Sequence, residues 1–113
     1  MPKTRVILEL GSGNDLHGSD YTKAALRAVQ DALHHSSLAF VRTLKIDRTK
    51  VDVEVTVGVQ RPERVDLDAI KKSLPIGNVT VKAVKGGLDV VDAEANDQAT
   101  LASAAIAVRI ETA

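Results

Sequence analysis

The sequence predicts an α+β domain with the element order β-α-β-α-β-β, and three observations carry that prediction. Val51, Val53, Val55, Val57 and Val59 alternate strictly with Asp52, Glu54, Thr56 and Gly58, the period of a strand with one buried and one wetter face. Ala25, Leu26, Val29, Ala32 and Leu33 instead recur at helical spacing, apart from a polar face of Lys23, Arg27, Gln30 and His34. Around Asp66 stands a complete helix start, with Val65 before the cap and Ile70 placed for a hydrophobic staple.

The elements follow in order. Arg5 to Leu10 reads as the first strand, with Val6, Leu8 and Leu10 on one face and Arg5, Ile7 and Glu9 on the other. From Glu9 to Lys23 the chain reads E-L-G-S-G-N-D-L-H-G-S-D-Y-T-K, a polar glycine-bearing loop that leads into a helix. Asp20 or Ser19 caps that helix, which runs to about His35 and ends at Ser36-Ser37, before an irregular connection through Arg48. The valine strand, Val51 to Val59, comes next. The short helix after Asp66 has Asp68 near its positive end and Lys71 and Lys72 near its negative end, and Pro75-Ile76-Gly77-Asn78 closes it by turn chemistry. Val79 to Val84 is the third strand. Gly86-Gly87 opens a polar stretch to about Thr100, long for a structureless loop. The last strand spans Ala102 to Glu111, with Ala102, Ala104, Ile106, Val108 and Ile110 on one face and the small Ser103, Ala105 and Ala107 on the other. That small apolar face is suited to a close contact, with another subunit or within the chain.

Composition limits the function. A chain of 113 residues is one domain, residues 1–113, and buries only about two-thirds of its unfolded surface, so association with copies of itself gains burial. Lys plus Arg balance Asp plus Glu at 15 each, which removes the field that draws nucleic acid or an anionic membrane. One Tyr, one Phe and no Trp supply no stacking platform for single strands. The absence of Cys excludes disulfides, thiolate catalysis and cysteine-held zinc. No apolar run reaches the roughly 18 residues of a membrane span, and Met1-Pro2-Lys3-Thr4-Arg5 enters a strand too early for a signal peptide. The expectation is a cytoplasmic protein with no cofactor and no metal, whose partners are itself and a small molecule.

The chemistry-bearing residues concentrate at the first strand–loop–helix corner. Gly11 and Gly13 permit close approach of a ligand. Glu9 is a candidate general base, or a partner of Lys23, or an exposed edge residue. His17 is a candidate proton shuttle or a loop-fixing hydrogen-bond donor. Asp15 either orients His17 or caps a turn. Lys23, a cation in a first helical turn where the dipole disfavours it, either holds a carboxylate or is solvated. Arg27 is a second anion anchor or a surface partner of Asp31. Gly11-Ser12-Gly13 lacks the third glycine of a dinucleotide fingerprint, because Leu16 stands in its place. Adjacent His34 and His35 point to different helix faces; Asp31 and His35, at i and i+4, either form a metal pair or make helix-terminal hydrogen bonds, and the latter is the expectation, while Asp15, His17 and Asp20 match no metal-site signature.

On Glu9, Gly11, Gly13, Asp15-Leu16-His17-Gly18, Asp20, Thr22-Lys23-Ala24-Ala25, Arg27-Ala28-Val29, Asp31-Ala32 and Ser37-Leu38, with Gly86-Gly87 and Asn96-Asp97 later, the chain resembles a family of uncharacterised bacterial and archaeal proteins named after a hypothetical Listeria protein. It has Ala39-Phe40 where that family commonly has Pro-Gly. The element order is similar to the chorismate-mutase/YjgF-like fold. That resemblance implies a four-stranded mixed sheet of order 1-4-2-3, antiparallel around the fourth strand, with helices on one face. It also implies trimers, or multiples of three, with sites between subunits. A more distant resemblance, to one unit of cyanuric acid hydrolase and barbiturase, implies a pocket near Ser19-Asp20-Tyr21-Thr22-Lys23 and at Gly86-Gly87. Glu9 and Lys85 stand where those enzymes place lysine and serine, so their chemistry does not transfer. The resulting expectation is an enzyme acting on a small polar or cyclic metabolite. Glu9, His17 and Asp15 would be catalytic, and Lys23, Arg27, Gly11, Gly13, Gly86 and Gly87 would bind ligand. The alternatives are a non-catalytic metabolite-binding or regulatory oligomer and a structural oligomer.

Overall fold

The computed structural model describes residues 3–34, 45–74 and 77–111. In order they form β1 (Lys3–Asp15), α1 (Tyr21–His34), β2 (Val51–Val59), α2 (Leu67–Lys72), β3 (Asn78–Lys85), β4 (Leu88–Asp92) and β5 (Asp97–Glu111). The expectations for His35, for the connection from Ser36 through Leu44 and for Pro75-Ile76 lie outside the described residues.

The strands make one five-stranded sheet in the order β1-β5-β2-β3, with β4 pairing on β5. β5 is antiparallel to β1, β2 and β4, and β2 is parallel to β3. The expected four-stranded sheet is thus corrected to five strands. The additional strand comes from the polar stretch after Gly86-Gly87. Leu88-Asp89-Val90 alternates, Asp92 Oδ1 accepts the N–H groups of Glu94 and Ala95 at 3.1 and 3.2 Å, and Asn96 turns the chain at φ 50°. The result is a hairpin rather than a loop, and β5 begins at Asp97, earlier than its apolar alternation suggests.

β1 differs more. It runs through Gly11 and Gly13 to Asp15, so the glycine-bearing loop expected there is strand for most of its length. These glycines serve packing. A Cβ on Gly11 would stand 2.5 Å from the Ala28 carbonyl oxygen, and one on Gly13 would stand 2.6 Å from that of Ala24. Ala24, Ala28 and Ala32 of α1, all fully buried, lie directly on this glycine track. Alanine against glycine lets a helix settle on a strand closer than branched side chains permit. The buried stripe of α1 is therefore Tyr21, Ala24, Ala25, Ala28, Val29 and Ala32; Leu26 and Leu33, expected in it, are half-buried. A bulge between Arg5 and Ile7 pairs Arg5 with Arg109, which moves Arg5 off the face that carries Ile7 and Glu9.

The valines of β2 are all at most 1% exposed. At about 1.5–3 kcal/mol for each such side chain, they form the main apolar store under α1 and α2. Asp66 caps α2 by accepting the Ala69 N–H at 3.2 Å, while its own N–H donates to Thr22 Oγ1 at 2.9 Å, tying α2 to α1. Both helices contact the same side of the sheet. Among the described residues no helix covers the opposite side, which carries an apolar row: Leu8 (45% exposed) and Leu10 (65%) on β1, Leu88 (54%) and Val90 (56%) on β4, and Val84 and Leu101 beside them.

Candidate functional site

The corner at the end of β1 is built by pairing across the chain. Gly18, at φ +146°, donates its N–H to the Gln98 carbonyl at 3.0 Å, which lays the β1–α1 connection against the start of β5. Asp15 is buried; its Oδ2 accepts the Asp20 N–H at 3.3 Å and its Oδ1 lies 3.9 Å from Lys23 Nζ. Asp20 caps α1 by accepting the Lys23 N–H at 3.0 Å. Asp15 and Asp20 together thus compensate a cation at the positive end of the helix.

His17 is highly exposed, and its Nδ1 lies 3.1 Å from Asp97 Oδ2. Asp97, not Asp15, is therefore the carboxylate that orients the imidazole. Its hydrogen bond to His17, followed by one from the Gln98 N–H, holds the Asp97 carboxyl below its ordinary value of 3.8. A depressed acid contributes stability above its unfolded value, lost as pH falls through its folded one. The Asp97 carboxylate that holds His17 is accordingly retained in weak acid and protonated only in stronger acid.

Behind this latch lies a polar network that the sequence did not expose. Tyr21 Oη donates to Asp89 Oδ2 at 2.6 Å, Thr100 Oγ1 donates to Asp89 Oδ1 at 3.1 Å, and Gln98 Nε2 donates to Thr100 Oγ1 at 3.2 Å. The Arg64 guanidinium sits 5.6 Å from the centre of the Tyr21 ring. The residues come from α1, β4 and β5, so only the hairpin brings them together; the apparent signal is a lone Tyr at a helix start facing an Asp between apolar neighbours. Burial, and next the Asp89 hydrogen bond, push the Tyr21 hydroxyl above its ordinary 10.0. The stability of the protonated phenol is full below pH 10.0 and disappears as pH rises through the raised value. Because Tyr21 is the only tyrosine and no tryptophan is present, phenolate absorbance during an alkaline titration reads this group alone. We expect ionisation above pH 10.0 in the folded protein, and a lower midpoint, still above that value, in Asp89→Asn. A native midpoint at the free-tyrosine value would contradict the buried network.

The other expected residues separate. Arg27 Nη1 donates to the Asn14 carbonyl at 2.6 Å and Asp31 Oδ2 accepts the Ser12 N–H at 2.9 Å. Both groups lie on the outer edge of β1, so α1 protects an edge strand that would otherwise invite pairing. Arg27 is thus engaged with the backbone of β1. Glu9 faces the helix side, half-buried beside Ile106. It stands about 20 Å along β1 from Asp15 at roughly 3.3 Å per residue. Glu9, His17 and Lys23 therefore do not converge, contrary to the expectation of one cluster. The space over Gly11 and Gly13 is filled by the α1 backbone. Gly86 and Gly87 accept from Gln60 Nε2 at 3.0 and 3.2 Å, and Gly87, at φ +65°, would carry a Cβ 2.9 Å from the Gly58 oxygen. They are the crossing point between β3 and β4. A shallow depression of about 260 Å³ remains beside the latch, lined by Gly18, Ser19, Asp92, Asn96, Asp97 and Gln98. Among the described residues no three His, Asp or Glu side chains are grouped to hold a metal, and no helix is long and apolar enough to cross a membrane.

The profile of the conserved hypothetical protein family Lin0512 matches residues 5–108, nearly the whole chain. The chain belongs to the Lin0512 family. A solved structure similar to this Lin0512 chain is an FtsZ-like protein of unknown function from Nostoc punctiforme PCC 73102. It is 34% identical over 99% of each chain, with a TM-score of 0.84. No curated protein matches. The glycine track, the corner and the β4–β5 hairpin thus lie within a Lin0512 match that covers β1 through most of β5.

Proposed function

We propose that this Lin0512 protein is a homo-oligomer, sealed through the open face of its sheet, that binds a small polar metabolite between subunits. The observation that carries this reading is the self-complementary relief of that face. Leu8 and Leu10 stand beside Ala107 and Ala105 of β5, with Glu54 and Thr56 of β2 on the far side. Projecting leucines therefore border a trough floored by alanine, the knob and the hole that a second copy needs. At the β1 entry, Lys3 pairs with Asp52 at 2.7 Å and Arg109 with Glu54 at 3.1 Å, with Arg5 and Glu111 next to them in register. This end is charge-balanced, so a second copy meets no net repulsion. The exposed leucines and valines on this face are the kind of apolar surface that an interface covers. The place of the long β5 between β1 and β2 supports a chorismate-mutase/YjgF-like assembly, and with it a trimer or a multiple of three. The proposed compartment is the cytoplasm.

Light scattering tests the assembly: a mass of three times 12.0 kDa, or a multiple of it, is expected, and a monomer at working concentration contradicts it. The pairing of His17 with Asp97 favours a second, catalytic reading. An exposed imidazole with its Nδ1 held by a carboxylate leaves Nε2 to accept a proton, next to the depression described above. On that reading His17→Ala abolishes turnover of a stabilising metabolite without altering the mass. Unchanged turnover in that variant would remove His17 from the chemistry.

A further inference from the structure

We propose that the open face also holds a specific subsite for a small hydroxy acid, with Lys82 as its carboxylate anchor, placed where the assembled seam would cover it. The inference rests on the seam reading above. β2 and β3 are in parallel register with Glu54 beside Thr80 and Thr56 beside Lys82, so these side chains form a polar quartet on the face away from the helices. They line a depression of about 220 Å³ whose floor is the backbone of Val55 and Val81. That is below the roughly 300–1,000 Å³ of sites for drug-sized ligands, which limits the occupant to a few carbons.

The charges then select its chemistry. Glu54 Oε1 is taken by Arg109 Nε at 3.1 Å, and Lys82 makes no ion pair among the described residues. A seam that closes beside an unpaired ammonium must desolvate it, a heavy penalty unless an anion enters with it. A carboxylate on Lys82 meets that need. The Thr56 and Thr80 hydroxyls can donate to its second oxygen, and the remaining Glu54 oxygen accepts from a hydroxyl on the neighbouring carbon. One acid-binding cation, two hydroxyl groups and one acceptor within a small cavity fit a hydroxy acid better than a simple carboxylate or a phosphate. Phosphate would face Glu54 with like charge. The alternative counter-ion is a carboxylate from the second copy itself, and the test separates the two.

The probes are glycolate and L-lactate, with ethylene glycol and sulfate as controls, measured by calorimetry and thermal shift on the wild-type protein, Lys82→Ala and Lys82→Arg, each with its mass determined in parallel. At least one hydroxy acid is expected to bind and stabilise the wild type while both controls fail. Lys82→Ala is expected to weaken binding about ten- to a hundredfold at unchanged mass, and Lys82→Arg to restore part of it. The subsite is overturned if no hydroxy acid binds an oligomeric wild type, if sulfate competes equally, if binding survives Lys82→Ala, or if the assembled structure shows an acidic side chain of the second copy on Lys82. Binding through Lys82 by a protein that remains monomeric would keep the subsite and overturn the seam.

Discussion

Gly13→Val is expected to destabilise the protein by about 3 kcal/mol or more, a large part of the stability of a domain this size. The reason is what the new side chain meets. Even a Cβ at Gly13 falls 2.6 Å from the Ala24 carbonyl oxygen and as close to the Arg27 carbonyl carbon. These are backbone atoms of α1, so no rotamer change relieves the clash. The helix would have to lift from β1, breaking the Arg27 and Asp31 bonds to the strand edge and exposing Ala24 and Ala28. Urea denaturation followed by circular dichroism measures this, with Ser12→Ala, whose side chain is exposed, as a control within about 0.5 kcal/mol of wild type. A Gly13→Val protein with a wild-type midpoint would mean that α1 does not sit on the glycine track.

The second large effect falls on assembly. Leu10→Asp is expected to raise the dissociation constant of the oligomer by about a hundredfold or more. Leu10 is 65% exposed in the protomer, so its replacement removes little from the protomer's own core. In the seam, the variant loses an apolar contact worth about 1–2 kcal/mol and buries a carboxylate without a partner, which adds a further penalty. Every seam carries the change. Light scattering should show a shift to lower mass while circular dichroism stays native. Retention of the wild-type mass would place the seam elsewhere, and loss of folded signal would mean that Leu10 belongs to the protomer core.

The contrast between the strands shows what was legible. β2 could be read directly because every second residue is valine and the burial follows that alternation. The α2 start was equally legible, since a cap, its acceptor and its charged ends are all local. The sequence pattern ends β1 at Leu10 because glycine normally weakens a strand, whereas Gly11 and Gly13 carry the strand on beneath α1 to Asp15. β4 carries no clear signal in the sequence because its acidic residues mask a short alternation, and a hairpin strand gains its stability from β5 rather than from its own pattern. At the site, the position of Lys23 at a helix start was legible, but its pairing with Asp15 was not. The Tyr21–Asp89–Thr100 network was invisible for the same reason.

By itself the sequence determined the periodic segments, the helix starts and the absence of cysteine chemistry, because each depends on neighbouring residues and their spacing. Only the tertiary structure decided that the glycines face α1, that Asp97 holds His17 across a separation of 80 residues, and that Glu9 lies far from Lys23. It also left the leucine and alanine side of the sheet without a covering helix among the described residues. These outcomes follow from strand register, and register is set by the whole apolar face of β5 meeting β1 and β2 at once, a condition that no local stretch of sequence contains.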